Sequence, residues 1–415
     1  MYRAPRGTND RLPTSQRYWR YVEDTAVELT RRFGYQRIDT PVFEESDLFL
    51  RTVGADTDVM DKETYTFQDR GNDYLTLRPE GTAPVCRAYL EHGMSNLPQP
   101  VRLYYFSPVF RYDRPQKGRY RQHHQFGVEV IGSESPLVDV EVIECGWALM
   151  SNLGLNDLRL SINTIGDNNC RPHYVKLLKD YYEKHRDIIC QECGNRLELN
   201  PLRLLDCKQD LCKPLQEMAP ASHEHLCLAC RDHWAKLQEY LELIGIPFSV
   251  DRKLVRGLDY YSRTVFEITP SGGGSRSTIL GGGRYDGLIE RLGGNPTPGV
   301  GFATGIERII LNLEHQSILV DKEEPIEYMI IALSQSVVSE AVKLASSIRK
   351  VWKSVIIGPS DRSLRGQMRN ANALGVSHII IIGEDEMANG TLVVKDMTTG
   401  HQNVVAIDEF MSRNV

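Results

Sequence analysis

The chain has 415 residues, too many for one small core, and its 41% hydrophobic and 25% charged content is that of an ordinary water-soluble protein with two or three domains. No apolar run approaches the roughly 18 residues a membrane span needs, and the opening MYRAPRGTND does not read as a secretory signal, so a cytoplasmic location is the expectation. The net charge of −6 excludes a non-specific coat for nucleic acid, although the basic run RYDRPQKGRYR leaves local RNA contact open.

In chain order, Thr14 or Ser15 is placed to cap a helix whose apolar side is Trp19, Val22, Ala26, Leu29 and Phe33, ended by Gly34. Short strand-like runs follow as far as Ile131: YQRIDTPVF, ETYTFQD, YLTLRP, RLYYFSPVFRYD and HQFGVEVIG. Pro136 to Leu153 reads as a helix and LRLSINTIG as a strand. Strands returning after turns predict an antiparallel sheet with helices against it, an α+β arrangement. Residues from about 168 to 245 are rich in Cys, His, Lys and Glu and have helical spacing, which marks a helical insertion. Strands resume at PFSVDRKLV and continue through STILGGGRYDGL to a helix in GIERIILNLE. HQSILVDKEEP is a linker; beyond it EYMIIAL, SVIIG and HIIIIG alternate with helices, the first carrying Val338, Ala341, Ala345, Ile348 and Trp352. This predicts catalytic-size and small domains over 1–325 and 326–415, the second α/β with a partly parallel sheet.

The chemistry-bearing motifs are mostly arginines. The phosphate loop G-x-x-x-x-G-K-[ST] is absent. GVGFATG and GGGRYDG miss the dinucleotide fingerprint, because the last glycine comes one place late and no apolar strand precedes GVGFATG. RLYYFSPVFRYDRPQKGRYRQHHQFGVEVIG reads as a hairpin with Arg111 at a strand end and Arg119 in the loop, two guanidinium forks suited to phosphate oxygens. Without a ligand, the same hairpin would simply be an exposed basic turn. In LRPEGTAP, Glu80 and Thr82 by themselves read as a helix cap. Arg308 follows a glycine-rich strand, and LVRGLDYYSRTVFE sets Arg256 beside Asp259, Tyr260 and Tyr261. Two C-x-x-C pairs, Cys190 with Cys193 and Cys227 with Cys230, have spacing that can hold one structural Zn²⁺, with Cys207 and Cys212 as substitute ligands. Reduced, packed thiols are the alternative.

Together these segments resemble the class II aminoacyl-tRNA synthetases, and within them the histidyl-tRNA synthetase family. GYQRIDTPVFE is similar to the class's first motif, a dimer-interface element with Pro41. The arginine hairpin is similar to the second motif and GVGFATGIERII to the third. LVRGLDYY and GGGRYDGL resemble the two signatures of the histidine enzymes, and the resemblance covers nearly the whole chain. It implies activation of histidine by ATP with Mg²⁺, transfer to tRNA-His, a homodimer and a C-terminal anticodon-binding domain. It assigns Arg256 and Arg111 to the α-phosphate, Arg111 also to the histidine carboxylate, and Arg119, Tyr120, His123 and Arg308 to ATP. Glu129 and Tyr261 would meet the imidazole, Glu80, Thr82 and Gln125 the α-amino group, and Tyr260 and Tyr285 would shape the pocket. Arg114, Gln116 and Lys117 would meet the tRNA acceptor end. His123 departs from the family's usual phenylalanine, which puts the strength and pH response of adenine stacking in question. The rival reading is a regulatory paralogue serving ATP phosphoribosyltransferase. Such paralogues usually lack the C-terminal domain.

Overall fold

The computed structural model describes residues 2–53, 63–270, 278–321 and 324–414. The chain forms two compact units that meet in sequence at Val320 and Asp321, inside the expected linker; Lys322 and Glu323 of that linker lie outside the described residues.

The first unit contains β1 (Gln36–Arg37), β2 (Phe43–Glu45), β3 (Tyr65–Gln68), β4 (Tyr74–Leu77), β5 (Val101–Phe110) and β6 (Gln122–Ile131). It continues with β7 (Leu158–Thr164), β8 (Phe248–Val250), β9 (Ser262–Pro270), β10 (Leu280–Arg284) and β11 (Gly299–Gly305). Eight of these form one sheet in the order β1-β5-β6-β11-β10-β9-β7-β8, while β2, β4 and β3 form a small separate sheet. The pairings from β5 to β7 across the large sheet are antiparallel; only its outermost pairs, β1 with β5 and β7 with β8, are parallel.

The two faces of this sheet follow from the two-residue repeat of a strand. In β6, Phe126, Val128 and Val130 are buried in the core formed with the helices Gln16–Arg32, Pro136–Asn152 and Ile306–His315. Gln125, Gly127 and Glu129 alternate with them and face the other way. That opposite face carries Tyr105, Tyr260, Tyr261 and Tyr285. The helix Gln16–Arg32 buries Trp19, Val22, Ala26 and Leu29 as its periodicity requires. Its start differs from expectation: the Ser15 hydroxyl donates back to Leu12 O at 2.9 Å and does not cap, because a short 3₁₀ turn over Pro13–Ser15 precedes the helix.

The insertion consists of the helices Arg171–Glu183, Gln191–Leu199, Lys213–Met218 and Leu228–Leu243, joined by 3₁₀ turns. In the second unit, β12 (Tyr328–Ala332), β13 (Val355–Ile357), β14 (His378–Ile382), β15 (Thr391–Asp396) and β16 (Gln402–Ala406) form a sheet in the order β13-β12-β14-β15-β16. The first three strands are mutually parallel and the last two antiparallel. Ala341, Ala345 and Ile348 bury the helix Val338–Lys350 as its spacing predicts, but Trp352 does not join them. The helix ends at Lys350 and the chain turns left-handed at Trp352 (φ +62°), which leaves the indole 98% exposed.

Candidate active site

The site grows out of the face of the sheet opposite the helices Gln16–Arg32, Pro136–Asn152 and Ile306–His315. Glu129 sits at its centre, 1% exposed, in the middle of β6. Tyr285 Oη donates to its Oε2 at 2.6 Å, and Thr82 Oγ1 and Tyr105 Oη donate to Oε1 at 2.8 and 3.2 Å. Burial pushes this carboxyl up to about 8, and the three donors only partly offset the cost of desolvating its charge. Room for it comes from Gly301 on β11, its register partner: a Cβ there would lie 2.0 Å from Glu129 Oε2 and 2.4 Å from Val128 O.

Glu80 and Thr82 lie beside this group. The bland reading of Glu80 holds physically, since its carboxylate accepts from Thr82 N at 2.6 Å and Ala83 N at 2.8 Å and so caps the helix Thr82–Glu91. The same cap fixes the Thr82 hydroxyl on Glu129. Burial raises the Glu80 carboxyl above its ordinary value. Tyr260 and Tyr261 pack with ring centroids 4.7 Å apart, and Tyr260 meets Tyr285 edge-on at 6.0 Å. Gln125 Oε1 is buried without a hydrogen-bond partner among the described residues.

The cationic side begins at Arg256. Its Nη1 pairs with Glu267 Oε1, its guanidinium lies 5.8 Å from the Tyr261 ring centroid, and its Nε is buried without a hydrogen-bond partner among the described residues. Burial disfavours the charge, yet Glu267 and Tyr261 outweigh it and leave the guanidinium held more firmly protonated than usual. Gly281 on β10 makes space, for a Cβ there would stand 2.4 Å from Arg256 Nη2. Glu267 Oε2 accepts from Thr278 Oγ1 at 2.7 Å, and Thr278 O in turn accepts from Arg308 Nη1 at 2.7 Å. Arg308 Nε donates to Gly118 O in the hairpin loop at 3.1 Å. Burial lowers the Arg308 guanidinium, and the positive charges of Arg119 and Arg111 lower it further, so three guanidiniums crowd one region. Arg111 is anchored through Nε to Pro79 O at 2.8 Å, and Arg119 pairs with Asp113.

His123 belongs to the same group. Burial, then Arg111 and Arg308, push its imidazole down to about 3, so it stays neutral at physiological pH. Its surroundings thus favour a ring whose charge does not change near neutrality. Tyr120 lines a groove with Arg11, Trp19, Gln122, His124 and Glu307, and its backbone meets the His123 ring. Arg114, Gln116 and Lys117 are exposed at the hairpin tip.

The cysteine expectation needs correction. Cys190 and Cys193 do not join Cys227 and Cys230; they converge with Cys207 and Cys212, while Cys227 and Cys230 converge with Asp167 and Cys170. The helix Arg171–Glu183 and the turns after it carry the two C-x-x-C pairs into different places, which spacing alone does not reveal.

Three side chains were given no partner from the sequence. Tyr105 has the same strand parity as Leu103 and Ser107, so alternation could have exposed it as a donor to the site. Glu267 ends the same motif that contains Arg256, eleven residues on, and its sign alone suggested a partner. Glu307 accepts from His124 N at 3.0 Å and lies 2.8 Å from its Nδ1, a long-range contact with no local signal.

A largely antiparallel sheet packed by helices, with an arginine-bearing hairpin beside a glycine-rich strand that leads into an arginine-bearing helix, is the catalytic fold of a class II aminoacyl-tRNA synthetase. Residues 7–166 and 197–309 match the family described as histidyl-tRNA synthetase, and residues 327–413 match an anticodon binding domain. A histidine–tRNA ligase of Dehalococcoides mccartyi is 50% identical over 411 residues, covering 99% of this chain and 98% of the relative. One from Pelotomaculum thermopropionicum is 48% identical, covering 97% and 95%. The crystal structure of apo histidyl-tRNA synthetase from S. aureus is 38% identical with a TM-score of 0.83, covering 100% of this chain and 99% of that one. The chain belongs to the histidyl-tRNA synthetase family.

Proposed function

We infer that this chain is a ligase that joins histidine to tRNA-His in two steps, using ATP. The observation that carries the residue-level reading is a desolvated carboxyl, Glu129, and the Arg256–Glu267–Thr278–Arg308 chain, both within electrostatic reach of Tyr261 between them. Near-complete similarity to ligases, C-terminal domain included, does not favour the regulatory-paralogue alternative.

In the first step the histidine carboxylate attacks the α-phosphorus in line and pyrophosphate departs. The attacking group is already an anion, so the work of the protein is alignment and charge stabilisation. Arg111 holds the histidine carboxylate against the α-phosphate, and Arg256 meets that phosphate from the other side. Arg119 and Arg308 take the distal phosphates, and the neutral His123 ring supports adenine. When bound with ATP, Mg²⁺ would supply further charge neutralisation, and Glu267 would hold it once Arg256 or Thr278 gives up a carboxylate oxygen. Glu129 accepts from an imidazole N–H, with Tyr261 against the ring, Tyr260 and Tyr285 closing the pocket, and Glu80, Thr82 and Gln125 at the α-amino group. A side chain lacking the imidazole pattern leaves these buried polar groups unpaired, which discriminates by roughly 10⁴–10⁵.

In the second step the exposed tip with Arg114, Gln116 and Lys117 approaches the acceptor end of the tRNA, and the unit beyond Asp321 reads the anticodon. A homodimer is part of the same reading, supported by exposed Phe43, Phe67 and Tyr74 on the small sheet. Among the described residues no helix is long and apolar enough to cross a membrane, and cytoplasmic placement follows from the tRNA-charging role. Histidine-dependent ATP–pyrophosphate exchange followed by charging of tRNA-His tests the whole assignment; exchange driven equally by other amino acids would overturn it.

A further inference from the structure

The four thiols Cys190, Cys193, Cys207 and Cys212 carry an assignment of their own. Their Sγ atoms all lie within 4.8 Å of one another, and Cys190 Sγ and Cys207 Sγ are 3.8 Å apart. With zinc–sulfur bonds of about 2.3 Å, the edge of a tetrahedral Cys₄ centre is roughly 3.8 Å. Backbone amides already point at three of the sulfurs: Cys193 N donates to Cys190 Sγ, Cys190 N to Cys212 Sγ and Gln209 N to Cys207 Sγ, at 3.4, 3.4 and 3.5 Å. Such bonds hold thiolates in place around a metal. Thiols merely filling an apolar core have no reason to converge and accept amides in this way. The neighbouring group of Asp167, Cys170, Cys227 and Cys230 is a poorer site, because the Asp167 carboxylate is engaged by Asn169 N at 2.9 Å and by Arg263 at 3.4 Å.

We propose that Cys190, Cys193, Cys207 and Cys212 bind one structural Zn²⁺ that fastens the insertion beneath the turn bearing Arg256. The loop closed between Cys193 and Cys207 contains the groups that make this connection. Asn200 Nδ2 donates to Asp259 Oδ1 at 2.6 Å, and Arg203 Nη1 donates to Gly257 O at 3.4 Å. The centre thereby positions a segment of the active site without touching substrate. Its metal content is independent of the ligase reading; only the kinetic arm below rests on that reading.

Full-length protein purified without a histidine tag should contain about one zinc per chain by elemental mass spectrometry. The Cys207→Ser/Cys212→Ser variant should lose it, and the Cys227→Ser/Cys230→Ser variant should keep it. If the first variant does not fold, a mercurial thiol reagent added to native wild-type protein should release the zinc as roughly four thiols react. Less than about a tenth of a zinc in the wild type, zinc retained by Cys207→Ser/Cys212→Ser, or thiols reacting without zinc release overturns the site. Asn200→Ala should keep the zinc and slow adenylation several-fold at unchanged ATP KM; unchanged adenylation would sink the coupling to the turn.

Discussion

The two sides of the cleft solve opposite electrostatic problems. Around Glu129 a carboxyl is buried among tyrosine and threonine hydroxyls, and desolvation raises it to about 8. On the other side, burial and the charges of Arg119 and Arg111 disfavour the Arg308 guanidinium, which backbone carbonyls tie down, while Glu267 holds Arg256 charged. On the proposed reading, the difference puts selectivity and rate in separate places. A buried pocket would reject wrong side chains through unpaired groups, whereas a preorganised cationic wall would act only as charge develops on phosphorus.

Mutations on the two sides should therefore have distinct kinetic signatures. The largest effect is expected from Arg256→Ala, which should cut histidine-dependent pyrophosphate exchange by about 10²–10³-fold with circular dichroism unchanged, on the scale of losing one transition-state donor. Near-normal exchange in that variant would dissolve the distinction. Glu129→Ala should come next, raising histidine KM by about 100-fold or more while ATP KM moves less than a few-fold. Equal changes in both constants would mean the pocket does not recognise the ring.

The glycines offer a finer comparison. Gly301→Ala forces a methyl against Glu129 Oε2 and a backbone carbonyl, so histidine KM should rise sharply with some loss of thermal stability. Gly281→Ala meets the far end of the Arg256 side chain, so kcat should fall and histidine KM should hardly change. Should both substitutions raise histidine KM alike, the separation of roles fails.

The pH response is gentler. Ionised Glu129 is the acceptor for an imidazole N–H, so histidine KM should fall as pH rises from about 6 towards 8, where its raised carboxyl titrates. Because free histidine loses its own imidazole proton near 6.5, the diagnostic is the comparison with Glu129→Gln, in which the dependence above about pH 7 should flatten. The smallest effect belongs to His123→Phe. Since the imidazole is neutral throughout this range, ATP KM should shift by no more than a few-fold and its pH profile should not change.

Legibility in the sequence differed in the same way. The elements bearing Arg111, Arg119, Arg256 and Arg308 could be read because each sits in a contiguous motif with strand or helix periodicity and a turn. The paired tyrosines were equally visible. What was not visible was contact between segments far apart in the chain: Tyr105 on Glu129, Thr278 between Glu267 and Arg308, and Tyr120 in one groove with Trp19 and Glu307. The cysteines show the limit most clearly, since the C-x-x-C spacing describes each pair well and says nothing about which pairs meet.

By itself, then, the sequence determined the family, the order of strands and helices, and the residue types available for phosphate and imidazole chemistry, because these depend on local periodicity and short motifs. Only the tertiary structure decided which charges neutralise which, that burial pushes Glu129 up to about 8, and that the thiols of Cys190 and Cys193 converge with those of Cys207 and Cys212. Those properties depend on distance and burial, and both are set by strand register and by helix packing between residues far apart in the chain.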